Sequence, residues 1–355
     1  MPETTTQLHS IVFPLLSWYR ENRRVLPWRE DPQPYRVWVS EIMLQQTRVA
    51  AVLDYFARFM DALPTVEALA QAQEGQLLKL WQGLGYYNRA RNLQKAARQI
   101  MEQWNGEFPS RYEDLLTLAG VGEYTAGAIA SIAFGEAVPA VDGNVLRVIT
   151  RLTGDESDIS RPETKAAVAN ALREVIPLDF PGQFNQALME LGALVCLPNG
   201  VPQCEKCPLA QQCEACRQGS TDRIPVKAAK KARRVERRVV CLIFHGNKVA
   251  LRQRPAKGLL ASLWEYPNYR KEEGLPWTLQ VGEMCPAGTG KHIFTHMEWH
   301  MEGIRLELTA EDLPKGWVWA DAEELRGRYA LPNAFAPFRA QVERRLEGGY
   351  GQLSL

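Results

Sequence analysis

The stretch LAGVGEYTAGAIASIAFG, residues 118–135, decides how the first half of this chain is built. Gly120-Val121-Gly122 stands between two helical segments, with Thr125 and Ala126 opening the second. Two glycines at this spacing permit a tight turn that leaves backbone N–H groups pointing outward at a helix start, which suits a phosphate oxygen. Such a turn between helices is the helix-hairpin-helix arrangement, which holds a DNA backbone without reading its sequence. Gly-Val-Gly also serves ordinary helix–helix turns. On these residues alone both readings stand.

Working outward, apolar residues recur at three- and four-residue spacing in Val49–Phe59, Gln76–Ile100, Ala166–Ile176 and Phe184–Cys196, so residues 1 to about 215 read as helices. The texture changes at GSTDRIPVKAAKKARRVE (219–236), which has few large apolar groups and reads as an exposed linker. Between 227 and 238, Lys227, Lys230, Lys231, Arg233, Arg234, Arg237 and Arg238 face the single acid Glu236. A solvated linker and a phosphate contact both account for that charge. From Arg238, RVVCLIFHGNKVALRQRP predicts a β-hairpin across Gly246-Asn247. Ile304–Leu308 and Trp317–Trp319 read as further strands and Phe338–Leu346 as a closing helix. The expected organisation is an all-α domain over 1–217, a basic linker over 218–236 and an α+β domain over 237–350.

A length of 355 residues fits two domains, and 46% hydrophobic with 23% charged residues supplies full cores. With 42 basic and 41 acidic residues the net charge is +1, so a nucleic-acid partner requires a local concentration of positive charge. No run of eighteen apolar residues occurs, and MPETTTQLHS lacks the features of a secretory signal. The expectation is a cytoplasmic, nucleoid-associated monomer with no membrane partner. In a reducing compartment seven cysteines point to metal before disulfides. Cys196, Cys204, Cys207 and Cys213 give C-x7-C-x2-C-x5-C, which suits a [4Fe–4S] cluster or Zn²⁺. Cys216 follows as a fifth candidate; Cys241 and Cys285 read as packed thiols.

Two acids sit in apolar surroundings. Asp142, in AVPAVDGNVLRV, is either a helix N-cap or a functional carboxylate, and the two readings are balanced. Glu41, in VWVSEIMLQQTRV, is either on a helix's polar edge or the second functional acid. Carboxyls in different apolar settings acquire different pKa values, as cleavage of a glycosidic bond requires. One protonates the leaving group while the other stabilises an oxocarbenium-like sugar.

Six segments together resemble the MutY-type adenine DNA glycosylases of the helix-hairpin-helix superfamily: LPWR (26–29), SEIMLQQTRV (40–49), GLGYYNRARNL (83–93), GVGEYTAGAI (120–129), AVDGNVLRV (140–148) and FNQALMELGALVC (184–196). The likeness continues through the cysteines into the second domain. It departs at the first two cysteines, which the family usually separates by six residues and this chain by seven.

The resemblance implies a [4Fe–4S] cluster on Cys196, Cys204, Cys207 and Cys213, backbone binding by Gly120 and Gly122, and removal of adenine from double-stranded DNA where it is mispaired with 8-oxoguanine or guanine. It casts Glu41 as the acid that protonates adenine N7 and Asp142 as the carboxylate facing the sugar cation. Tyr124 and Asn144 match residues that organise these two. Relatives that also nick the strand carry a lysine where Tyr124 stands, since an amine forms the needed Schiff base; the implied enzyme is monofunctional. Gln46 and Tyr86 match wedges that fill the gap left by a flipped base, and Thr47 a contact to the oxidised guanine. Trp28, Arg29, Leu44, Val49 and Gln186 match the adenine pocket.

In the second domain, GLLASLWEYP (258–267) resembles the Nudix segment G-x-W-E-F-P, but NYRKEEGLPW follows instead of the glutamate-rich helix that holds Mg²⁺. The implied role is recognition of the oxidised base, through Phe294, Thr295 and His296 of HIFTH (292–296), where Thr295 replaces the family's usual serine. Three rivals are weighed against this reading. An oxidised-pyrimidine glycosylase/lyase is opposed by the absence of lysine at 124, and a catalytically silent lesion-binding protein by the presence of both acids. A nucleotide pyrophosphatase is opposed by the missing metal helix.

Overall fold

The computed structural model describes residues 2–228, 232–274 and 281–348. It divides into two compact units: Met1–Gln71 with Asn92–Ala229, and Ala72–Arg91 with Lys230–Leu355. Among the described residues no helix is long and apolar enough to cross a membrane.

The first unit is helical. Its core is built by the helices Pro2–Asn22, Gly143–Thr153, Pro162–Val175 and Pro181–Leu194, whose apolar faces meet around Leu15, Leu146, Leu172 and Phe184. The helix Pro34–Leu44 is apolar nearly all round and buried from Val37 to Met43, as a helix wedged among others must be. It packs against Glu123–Phe134. The predicted helices at 49–59, 166–176 and 184–196 are present as Val49–Ala62, Pro162–Val175 and Pro181–Leu194.

The expected continuous helix over 76–100 is instead two, Glu74–Leu80 and Asn88–Gln103. Gly83, Gly85 and Tyr86 between them all have positive φ, which no α-helix accommodates. Residues 72–91, helical in sequence texture, group with the second unit for a polar reason. Lys79 Nζ donates to the carbonyls of Leu325 (2.8 Å) and Tyr329 (3.0 Å). Asn333 Nδ2 reaches Gly83 O, and Arg91 the carbonyl of Ala261.

The second unit carries a mixed sheet of β1 (Arg234–His245), β2 (Lys248–Gln253), β3 (Trp264–Glu265), β4 (Asn268–Arg270), β5 (Val281–Ile293), β6 (Met297–Leu308) and β7 (Trp317–Ala320). The order is β3-β2-β1-β6-β5, with β4 added to β1 and β7 to β2. Among the described strands only β1 and β6 run parallel; the other pairs are antiparallel. The predicted hairpin is β1–β2, turning at Gly246-Asn247. The helix Ala336–Glu347 seats Phe338 and Val342 on one sheet face with Trp299 and Met301.

The linker departs from expectation at both ends. Ser220 and Ile224 are buried, because Arg151 donates to the carbonyls of Thr221 and Ile224 (both 2.7 Å). Strand β1 begins at Arg234, where alternation and pairing with Met297 take over. Glu236 lies between Arg234, Arg238 and Arg270, so part of the basic run is paired. Lys230 and Lys231 lie outside the described residues.

Candidate active site

The hairpin turns as its glycines predict. Gly120 has φ +75°, and a Cβ there would stand 2.6 Å from Asn92 Cβ. Gly122 caps the helix Glu123–Phe134 in extended conformation with open space where a Cβ would be. That helix start delivers Tyr124, whose phenol donates to Glu41 Oε2 and approaches Met189 Sδ at 3.7 Å.

Asp142 is the helix N-cap that its sequence allowed. It caps the helix Gly143–Thr153, with Oδ1 accepting from the N–H groups of Asn144 (2.9 Å) and Val145 (2.8 Å), and Oδ2 accepts from Asn144 Nδ2 at 2.7 Å. It also lines one cavity with Glu41. The loop before it is clamped: Asn185, fully buried, accepts from Ala140 N–H and donates to Val138 O and Ser131 Oγ. Gly127 lets Pro139 O come so close that a Cβ would lie 2.3 Å from it.

A cavity of about 620 Å³ brings together Trp28, Arg29, Glu41, Leu44, Thr47, Val49, Tyr124, Asp142, Asn144 and Gln186. These are ten of the residues singled out in the sequence. Trp28 forms one wall, edge-on to Phe56 at 5.1 Å. Gln186 donates to Gly182 O (3.2 Å) and keeps its amide oxygen available. A second cavity, about 860 Å³, shares Leu44, Tyr124 and Asp142 with the first and extends past Gln46 to Gly120 and Gly122. Gln46 has φ +60° and Tyr86 φ +47°. Left-handed backbone in residues with side chains is costly and concentrates at functional positions. Tyr86, Phe294, Thr295 and His296 belong to the second unit. Tyr86 is half exposed, with its hydroxyl 3.4 Å from Thr295 Oγ1. Phe294 packs edge-on against Trp299 (4.9 Å), leaving Thr295 and His296 at the surface.

Electrostatics separate the two acids. Glu41 is 6% exposed, and burial pushes its carboxyl up to about 7, with the Asp142 charge adding to the rise and Tyr124 and Arg29 opposing it. Burial also raises Asp142, but two backbone N–H groups, the Asn144 amide and the Arg147 charge all favour its anion. Burial and both carboxylates hold the Tyr124 phenol well above its ordinary value, so it stays a donor.

Sequence reasoning missed the supports. Glu190, 1% exposed, receives two bonds from the Arg24 side chain and one from Arg29 (2.7–2.8 Å). Against desolvation, these bonds hold its carboxyl down at about 2. Arg147 donates to Asn144 Oδ1 (3.0 Å), Gly192 O (2.8 Å) and Cys196 O (2.8 Å), which joins Asp142's partner to the first cysteine. A lone acid or arginine inside an apolar helical run was the only available signal.

Cys196, Cys204, Cys207, Cys213 and Cys216 line one cavity with Arg151, whose Nη1 lies 3.3 Å from Cys196 Sγ. The seven-residue spacing is absorbed in a loop closed by Gln203 N–H to Val195 O, with Gly200 at φ +76°. Burial and the neighbouring sulfurs push Cys204 up to about 11; burial pushes Cys207 to about 12. Thiolates at this density need compensating positive charge, which a bound metal centre supplies. Among the described residues no three His, Cys, Asp or Glu are grouped to hold a single ion.

A helical unit with a glycine hairpin and two acids lining one cavity, followed by a Nudix-like sheet, defines a base excision DNA repair protein. Residues 39–177 match the model for the HhH-GPD superfamily base excision DNA repair proteins, and 239–341 match the NUDIX domain. The chain belongs to the adenine DNA glycosylase family. It is 36% identical to the adenine DNA glycosylase of Mus musculus, over 87% of this chain and 73% of that one. It is 35% identical to that of Buchnera aphidicola subsp. Schizaphis graminum, over 86% and 91%. Among solved structures it is similar to endonuclease III in a trapped covalent complex with DNA, with TM-score 0.52 and 26% identity over 61% of this chain and 98% of that one.

Proposed function

We propose that the chain hydrolyses the N-glycosidic bond of adenine mispaired with 8-oxoguanine, and more slowly with guanine, and leaves an abasic site. The observation that carries this reading is one cavity lined by two acids in different surroundings, the buried Glu41 against the Tyr124 phenol and Asp142 on a helix cap. Glu41, with its pKa raised to about 7, retains a transferable proton up to neutrality, donates it to adenine N7 and makes the base a neutral leaving group. Asp142, anion-stabilised by its cap hydrogen bonds, faces C1′ as positive charge develops on the sugar, and water completes hydrolysis. Tyr124 orients the Glu41 carboxyl through its hydroxyl. With a phenol at 124 there is no amine to form a Schiff base, so strand scission is not part of the reaction.

Gln46 and Tyr86 fill the space left by the extruded nucleotide, and Trp28, Arg29, Leu44, Val49 and Gln186 enclose the base. Thr47 and the exposed Thr295 and His296, propped by Phe294, read the oxidised partner. Cys196, Cys204, Cys207 and Cys213, which line one cavity, would hold the [4Fe–4S] cluster that the resemblance implies. When bound, the cluster neutralises the thiolates and braces the loop that Arg147 and Arg151 contact.

The test is incubation with a duplex carrying one adenine opposite 8-oxoguanine, with and without hot alkali. Strand scission only after alkali is expected. Scission without alkali, or an intact strand after it, would overturn the proposal.

A further inference from the structure

The cavity beyond Asp142 has a basic wall that the reaction above does not use. Lys165 and Arg173 project from the helix Pro162–Val175, and Lys227 from the chain leading to the second unit; all three line the same 860 Å³ cavity as Gly120, Gly122 and Asp142. Lys165 and Arg173 lie two turns apart on one face, with Ala166 and Ala169 between them keeping the wall low. Among the described residues none of the three forms an ion pair, and Arg173 Nη1 donates to Asn170 Oδ1 at 2.8 Å. Among the described lining residues, Glu123 and Asp142 are the only acids.

Lys227 is not on a loose tether. Ile159 N–H donates to Val226 O at 3.1 Å, and the Ala228 N–H donates to the Asp158 carboxylate, so the residues on both sides of Lys227 are fixed to the loop before the helix. Upstream, Arg151 staples Thr221 and Ile224 to the buried interior.

The two cavities meet at Leu44, Tyr124 and Asp142. A nucleotide with its base in the smaller one sets its sugar over Asp142, and its own backbone then has to pass through the larger one. Each phosphate carries a full negative charge that open solvent would otherwise neutralise with counterions.

We infer that Lys165, Arg173 and Lys227 form a phosphate-binding wall for the strand bearing the extruded nucleotide, in the cavity that the Gly120–Gly122 hairpin also lines. This rests on the proposed reading of the base cavity and adds the ligand of the second one. The pinned chain after residue 218 is then part of the DNA-binding surface and not only a connection.

The experiment uses the full chain with Lys227→Gln, Lys165→Gln and Arg173→Gln, singly and combined. Binding is measured from 50 to 200 mM salt on a duplex with a non-cleavable adenine analogue opposite 8-oxoguanine, and single-turnover base release at saturating enzyme on the cleavable duplex. Each substitution should flatten the slope of log affinity against log salt by about 1, and the triple variant by nearly 3. Lys227→Arg should keep the slope, and saturated base release should stay within about twofold of the starting protein. Unchanged slopes in the triple variant would overturn the inference. Absence of base release in the unsubstituted chain would instead defeat the proposed function, whatever the slopes.

Discussion

Glu41 and Thr295 sit at opposite extremes of the molecule's chemistry. Glu41 is buried on an apolar helix, fixed by Tyr124 and tuned by the exclusion of water. Thr295 is exposed in a turn closed by Phe294 N–H to Met297 O at 2.8 Å, propped from beneath by Phe294 on Trp299. The helical unit buries an acid whose pKa is raised to about 7; the sheet unit exposes a hydroxyl and an imidazole. Catalysis requires exclusion of solvent, whereas discrimination between bases requires polar groups presented at a surface.

That contrast should show first in Glu41→Gln. The amide keeps the shape and the Tyr124 hydrogen bond but carries no transferable proton. Single-turnover base release should fall by about 10³-fold or more, with affinity for a lesion-containing duplex preserved within a few-fold. Asp142→Asn should lose a comparable factor while the helix cap survives, because asparagine caps as well as aspartate.

The same Glu41→Gln variant sharpens the burial half of the comparison. The folded-state pKa of Glu41, about 7, exceeds its ordinary value of 4.5, so between these limits the native state holds a proton that the unfolded chain has lost. Its contribution therefore falls as pH rises from about 4.5 to 7 and stays at its lowest above that. The cost at pH 8 is on the order of 3 kcal/mol. Thermal melts should show Glu41→Gln more stable than the starting protein at pH 8 and nearly equal to it at pH 4.5. Equal gains at both pH values would mean that the carboxyl is not desolvated.

Smaller effects belong to the supports and the reader. Arg147→Met frees Asn144 Oδ1 and should slow base release about ten- to a hundredfold, with little change in the affinity for product. Thr295→Ala should reduce the preference for 8-oxoguanine over guanine opposite adenine by about tenfold, the worth of one hydrogen bond, and leave the rate on the guanine mispair unchanged. Truncation of the sheet unit would be a poorer test, because Lys79, Gly83 and Arg91 would lose their partners at Leu325, Tyr329, Asn333 and Ala261.

Much of this was legible in local patterns. The hairpin needed only Gly120 and Gly122, the β1–β2 turn only Gly246-Asn247, and the N-cap only Asp142 ahead of a helical run. Asp142 also shows why cap and catalyst could not be separated in sequence: the hydrogen bonds that cap the helix are the ones that favour its anion. What stayed hidden depends on distant partners. Glu190 looked like any acid in an apolar run until Arg24 and Arg29 arrived from more than 160 residues away. Periodicity carried the 76–100 helix straight through Gly83, Gly85 and Tyr86, although the backbone there turns left-handed to present a half-exposed ring.

The pH dependence of single-turnover adenine release tests the central claim most directly. If protonated Glu41 is the acid, the rate constant should be level below about pH 7 and fall tenfold per pH unit above it, with the residual rate of Glu41→Gln showing no such break. A wild-type rate that stays level to pH 9 would show that the Glu41 proton is not the one transferred.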